Sequence, residues 1–173
     1  MRPAQEIHDL FQAAQAGDVQ RLQEMLSADP ALANTENEDG LTPLGFAAHF
    51  GHPDAVRALL EHGADVNAVS HSTIAYIPSN TALHAAIAGE RNLEVIRLLL
   101  QHGARTDIFD SNGHTCLHTA AFHDDNCEII RLLIEHGVPV NAQAAGGKTA
   151  LALAIEKGNH NVAQLLRQHG ASE

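Results

Sequence analysis

The sequence predicts an all-α chain of stacked helix-turn-helix units, on three observations. A motif recurs at a spacing of 34 residues: the run from Thr115 to Ala121, Thr-Cys-Leu-His-Thr-Ala-Ala, has a forerunner opening at Thr81, Thr-Ala-Leu-His-Ala-Ala, and a successor opening at Thr149, Thr-Ala-Leu-Ala-Leu-Ala. Upstream, Thr42 opens Thr-Pro-Leu-Gly-Phe-Ala-Ala, and Leu10, Ala13, Ala14 and Gly17 fall in phase one period earlier. Four of these units close on a His-Gly pair, at Gly63, Gly103, Gly137 and Gly170. Finally, the outermost units carry charge where inner ones are apolar: Glu24 stands in the place of Ala58, Leu98 and Leu132, and Arg167 in that of Leu60, Leu100 and Ile134. A period of this length indicates a stacked-repeat solenoid whose end units face water. A single domain over residues 1–173 is expected, with repeats at about 1–40, 41–79, 80–113, 114–147 and 148–173, the first and last acting as caps.

Each element follows from local chemistry. Threonine starts the first helix of a unit because its side-chain oxygen accepts an orphan helix N–H, and Pro43 occupies a first helical position where a missing N–H costs nothing. Small pairs, Ala47-Ala48 and Ala120-Ala121, let a neighbouring helix approach closely. The second helix, with Val95, Ile96, Leu98, Leu99 and Leu100, is apolar over too wide an arc for one neighbour, so it is read as sandwiched between repeats. The glycines then supply a left-handed C-terminal cap. Turns follow, most clearly at Asp39-Gly40 and Asn112-Gly113.

Departures are few. The first unit has Ala28-Asp29 and Pro30 where the others have His-Gly. Three junctions, Asn34 to Thr42, Asp107 to Thr115 and Asn141 to Thr149, span 8 residues, whereas Asn67 to Thr81 spans 14 and includes the only tyrosine, Tyr76. One-residue insertions fall near Asn92 and Asn126.

The Thr-Pro-Leu-His-x-Ala-Ala opening, the two short helices and the Gly-Ala-Asp-Val-Asn-Ala exit from Gly63 to Ala68 resemble the ankyrin repeat family. The small capped chain with its Asp29-Pro30 exit is similar to free-standing bacterial members. That resemblance implies a right-handed solenoid joined by β-hairpin-like turns, acting as a non-catalytic protein-protein interaction module. It also implies partner contacts from the turn tips and the concave side of the first helices. Carried over residue by residue, the expected partner-binding set is Glu38, Asp39, Leu41, His49, Phe50, Tyr76, Ile77, Asn80, Phe109, Asn112, His114, Phe122 and His123. Secondary candidates are Val69, Pro78, Ser111, Ala145, Lys148, Glu156 and Lys157. Exposed aromatics among these suit an interface because a few desolvated anchors, each worth ~2 kcal/mol or more, carry most binding energy. The opposing reading folds Phe50 and Phe122 inward and uses Ile74 and Tyr76 to pin their own loop.

Composition narrows the class. A net charge of −11 with histidine neutral repels phosphate backbones, so no nucleic-acid partner is expected. Neither a signal core nor an apolar run of the ~18 residues a membrane span needs is present, and a soluble, monomeric, cytoplasmic protein is expected. Its partner would present an apolar patch rimmed with basic residues to complement Glu38 and Asp39. Cys116 and Cys127 form neither a disulfide framework nor a metal hook and are expected to be reduced.

Thirteen histidines raise a metal or pH-sensor alternative, since protonating all of them would carry the charge from −11 to about +2. Six of them have a structural explanation. His62, His102, His136 and His169 precede cap glycines and can bond the last helix carbonyls, while the resemblance makes His84 and His118 bridges between turns. His8, His49, His52, His71, His114, His123 and His160 are left over. Of these, His49, His114 and His123 with Asp124 or Asp125 are the zinc candidates, yet no pair has the spacing of a dedicated site, so no metal and no cofactor is expected. The asparagines Asn34, Asn67 and Asn141 are read as caps of their own turns. No catalytic residue is assigned: Gly147-Lys148-Thr149 echoes a phosphate loop, but Ala142 stands where that loop needs glycine. A scaffold without a dedicated partner is the remaining alternative.

Overall fold

The computed structural model describes residues 3–173; Met1 and Arg2, where the first expected repeat begins, lie outside the described residues. Among the described residues there are ten α-helices and no strand. They form pairs at the expected phase: α1 (Ala4–Ala16) and α2 (Val19–Ala28), α3 (Pro43–His49) and α4 (Pro53–Glu61), α5 (Ala82–Ala88) and α6 (Leu93–Gln101), α7 (Cys116–His123) and α8 (Cys127–Glu135), α9 (Ala150–Lys157) and α10 (His160–Gln168). The chain falls into two compact units, Met1–Ala104 and Arg105–Glu173.

Capping sets where helices begin. The hydroxyl oxygens of Thr42, Thr81 and Thr149 accept the backbone N–H of Gly45, His84 and Ala152, at 3.0, 3.4 and 3.2 Å. Second helices start on Asp18, Asn92 and Asn126, which accept from Arg21, Val95 and Glu128 at 3.2, 3.1 and 3.0 Å. The asparagines near the two one-residue insertions thus begin helices, and Arg91, at φ 54, turns the chain into α6. At the other end Gly63, Gly103, Gly137 and Gly170 all take positive φ, between 79 and 95.

In the first unit α4 packs between α2 and α6, and Ala55, Val56, Ala58 and Leu59 are buried. In the second, α8 packs against α7 and α10. The core is aliphatic, joined by Phe11, which meets Phe46 edge-on at 5.0 Å. Burying one leucine side chain contributes about 2 kcal/mol, so the number of buried faces decides how firmly a helix is held. α6 buries Val95, Ile96, Leu98, Leu99 and Leu100, whereas α2 buries only Leu22 and Leu26. Glu24 and Arg167 are exposed, as their placement in the outer repeats predicts. After α2 the chain enters a short 3-10 helix, Pro30–Asn34, which buries Leu32 and Ala33 in place of a glycine cap.

The turns are hairpin-like without forming strands. Asn37, Asp110 and Ala144 each donate N–H to the carbonyl four residues on, at Leu41, His114 and Lys148, over 3.0, 2.8 and 2.7 Å. Two turns are also tied to the next: His71 N–H donates to Gly40 O at 2.8 Å and Ala145 N–H to Gly113 O at 3.1 Å.

Gly40 carries two constraints. Its φ is +77, and a Cβ there would stand 1.9 Å from His71 O, whereas Gly146, at φ +89, has open space around it. Gly146→Ala is therefore expected to cost about 1 kcal/mol for left-handed backbone alone, and Gly40→Ala several times that, measured by urea unfolding. Equal costs would contradict the backbone approach at His71.

Candidate protein-binding surface

Most polar side chains that stand out in the sequence are occupied in holding repeats together. Asn34 donates Nδ2–H to Gly63 O at 2.9 Å and accepts the Asp65 N–H on Oδ1 at 2.8 Å. Asn141 does the same with Gly170 O, at 3.1 Å, and the Ser172 N–H, at 2.8 Å; Asn67 donates to Gly103 O at 3.1 Å. These asparagines thus reach the cap glycine of the following repeat, and for Asn34 and Asn141 this bridge replaces the expected cap of their own turn. The cap glycine carbonyls lie past the last intrahelical bonds, and the asparagine amide of the preceding repeat supplies their donor.

The histidines divide similarly. His62, His102 and His136 donate from Nδ1 to the carbonyl four residues back, at 2.8, 2.8 and 2.9 Å, as expected for residues before a cap glycine. His118 is 1% exposed. Its Nδ1 accepts the Thr115 N–H at 3.1 Å, so the proton sits on Nε2, which faces Ala142 O at 2.9 Å and Lys148 O at 3.2 Å in the next turn. Burial pushes the His118 pKa down, opposed by those two carbonyls. His84 is also buried and faces Thr81 through Nδ1. His52, unassigned by repeat logic, reaches Gln15 O at 2.7 Å through Nε2.

Sequence reasoning missed a second set of bridges. Asn159 donates to Ala121 O at 2.8 Å, and Asp125 accepts the Val162 N–H at 2.8 Å and the Asn161 side chain at 2.9 Å. Asp125, a zinc candidate on paper, is the cap of α10. The detectable signal was its separation from α10, close to one repeat. Among the described residues no three His, Cys, Asp or Glu side chains gather to hold a metal ion. Cys116 is buried, which pushes its thiol up to about 12, and both cysteines are free thiols.

The large apolar side chains that remain exposed, Val69, Tyr76, Phe109, Phe122 and Ile155, stand in turns or near helix ends. In the first unit Glu38 is exposed and Asp39 and Leu41 half-buried on the turn before α3; His49 is exposed and Phe50 half-buried at the end of that helix. Phe50 lies 5.9 Å from the Phe46 ring and 5.0 Å from His49, so it packs partly inward. The insertion is heavily hydrogen-bonded. Ser70 N–H donates to Asn80 O at 2.9 Å, Asn80 N–H to Ser70 Oγ at 3.0 Å, Ser72 N–H to Ser79 Oγ at 3.0 Å, and Thr73 N–H to Asp39 O at 3.0 Å. Asn80 therefore closes the loop with its backbone, and Ile77 is half-buried, its N–H bonded to Ile74 O at 3.1 Å. Tyr76, at the tip, is 85% exposed and does not pin the loop.

In the second unit Phe109 is 48% and Phe122 44% exposed. Asn112 is exposed and His114 half-buried on the Asp110–His114 turn, where Asp110 Oδ1 accepts both their N–H groups at 2.9 Å. Phe122 stands beside the exposed His123 at 6.0 Å between centroids, and Lys157 Nζ lies 4.2 Å over its ring. Lys148 pairs with Glu156 at 2.7 Å and holds its carboxyl below the usual value.

The downward shift of His118 has a definite consequence. Below its ordinary value of 6.5 the unfolded chain binds a proton that the folded chain resists, so this contribution to stability is full above about pH 6.5 and is lost as pH falls. The urea midpoint is expected to drop between pH 7.5 and 5.5, and less steeply in His118→Gln. Parallel slopes would contradict the buried neutral imidazole.

The ankyrin repeats (3 copies) family model matches residues 10–110, 70–144 and 104–173. Curated relatives include the NAD-capped RNA hydrolase NUDT12 of Homo sapiens, 44% identical over 69 residues, 39% of this chain and 15% of that protein. The ankyrin repeat domain-containing protein 49 of Bos taurus is 46% identical over 61 residues, 35% of this chain and 26% of that one. The probable E3 ubiquitin-protein ligase XBOS31 of Oryza sativa subsp. japonica is 37% identical over 105 residues, 60% and 22% of the two chains. The chain thus spans about a quarter or less of the length of these relatives. Ankyrin repeats are in general protein-interaction modules and non-catalytic, and no helix among the described residues is long and apolar enough to cross a membrane. With the repeat phase, the helix pairs and the family match in agreement, this chain belongs to the ankyrin repeat family.

Proposed function

We propose that this chain is a non-catalytic module that binds a partner protein through the turns and first-helix ends, with Tyr76, Phe109 and Phe122 as its principal anchors. The observation that carries the reading is Tyr76: it is 85% exposed at the tip of a segment whose backbone is extensively bonded. A loop whose backbone is already held spares the association the cost of ordering it, so burial of the aromatic at its tip is offset only by freezing that one side chain. Phe109 and Phe122 offer the same chemistry in the second unit; Glu38, Asp39, Leu41, His49, Phe50, Ile77 and Asn80 complete the candidate set in the first unit, and Asn112, His114 and His123 in the second. The net charge of −11 favours a partner whose apolar patch is rimmed by basic residues and disfavours nucleic acid.

Affinity capture from native extract tests this, using the wild type, Tyr76→Ala and Phe122→Glu, each shown to be folded by circular dichroism. A protein retained by the wild type and lost at least tenfold by either variant is the expected result, since losing one hot-spot anchor costs about 2 kcal/mol. Undiminished retention by both variants would contradict the assignment of these anchors.

A further inference from the structure

Within the first unit a groove of about 420 Å³ lies between the Asn34–Thr42 junction and the segment running into the insertion. Its apolar surface is Ala33, Leu44, Ala68 and Val69, of which Val69 is 39% exposed, and Glu36 and Asp65 add a carboxylate from each side. Its other polar groups are already committed to the fold. Asn34 uses both amide atoms in the Gly63 and Asp65 bridge, Thr42 Oγ accepts the Gly45 N–H, and His71 Nδ1 meets Glu36 Oε2 at 2.5 Å. Asp65 Oδ1 takes the Asn67 N–H at 2.9 Å. One oxygen of each carboxylate is unpaired among the described residues.

The groove therefore offers an aliphatic wall and spare acceptors. We infer that it receives the side chain of an arginine or lysine presented by the partner protein, the methylene stem lying on Ala68 and Val69 and the cationic head meeting Glu36 and Asp65. Charge complementarity selects this occupant. From Pro30 to Asn80 the chain carries Glu36, Glu38, Asp39, Asp54, Glu61 and Asp65 against one arginine, Arg57. That arginine is held on α4 by Asp54 at 3.0 Å and Glu94 at 3.7 Å. A groove this open suits one long side chain better than a free small molecule, which needs most of its surface enclosed. The inference rests on the protein-binding reading and gives it a specificity element: Tyr76 supplies contact area, and the groove selects for positive charge nearby.

The test is amide-resolved NMR titration of the whole chain, at low ionic strength, with an N-acetylated, C-amidated Ala-Arg-Ala peptide and its norleucine counterpart. The arginine peptide is expected to shift the amides of Ala33, Glu36, Ala68 and Val69, and the norleucine peptide to leave them in place. Glu36→Gln combined with Asp65→Asn is expected to weaken the response at least fivefold. Val69→Arg, which keeps both carboxylates and offers the groove a cation of its own, is expected to abolish it. Shifts spread evenly over exposed carboxylates such as Asp54 and Glu128, or unchanged in both variants, would overturn the inference. So would a captured partner lost by Tyr76→Ala yet fully retained by Glu36→Gln/Asp65→Asn, an outcome that leaves the protein-binding reading intact.

Discussion

Each helix leaves carbonyls at or just past its C-terminus that its own backbone does not satisfy, and in this protein the adjacent repeat takes up several of them. Asn34 reaches the cap glycine carbonyl at Gly63, and Asn141 that at Gly170. At the opposite ends of the pairs, Gln15 O takes His52 Nε2, His49 O takes the Glu90 N–H, and Ala121 O takes Asn159. Most of these bonds lie near the surface, so each contributes about 0.5–1.5 kcal/mol, less than a buried leucine. Polar contacts thus fix the register of neighbouring pairs, while the aliphatic core supplies the attraction. The same requirement consumes histidines and asparagines that, on the sequence alone, look available for chemistry.

Close approach is the second consequence. A Cβ at Gly89 would lie 2.2 Å from His49 O, and one at Gly17 would lie 2.7 Å from the His52 ring. These glycines let the polar bridges form at hydrogen-bonding distance. The aliphatic pairs such as Ala47-Ala48, fully buried, do the same for the helices themselves.

Much of the fold was legible because the repeat multiplies weak signals. A single threonine start or glycine stop is ambiguous, but Thr42, Thr81, Thr115 and Thr149 in phase with Gly63, Gly103, Gly137 and Gly170 are not. What escaped was tertiary: Asp125 capping α10, the asparagine bridges and the 3-10 helix that replaces the first glycine cap all depend on a partner roughly a repeat away or on an exit unlike the others. For the candidate surface, sequence located the segments but not the exposure of each side chain. In the repeat register Phe122 stands in the place of His49 and Phe50 in that of His123; Phe50 turns toward Phe46, and Phe122 stays 44% exposed beneath Lys157. One position on a helix turns a side chain by about 100°, so the register separates the two rings, but only the neighbours, Phe46 in the same repeat and Lys157 in the next, set how far each is covered.

The functional account turns on order without burial in the insertion. Residues 70–80 spend their backbone groups on one another and on Asp39 and Gly40, so the segment needs no core contact at its tip to be held. Native-state hydrogen exchange on the unliganded protein examines this most directly. The account predicts slowed exchange at the amides of Ser70, His71, Ser72, Thr73 and Asn80, with Tyr76 exchanging fast. Exchange at unprotected rates throughout residues 68–80 would show a loop that must be ordered by its partner, and would contradict the claim that Tyr76 is presented in advance.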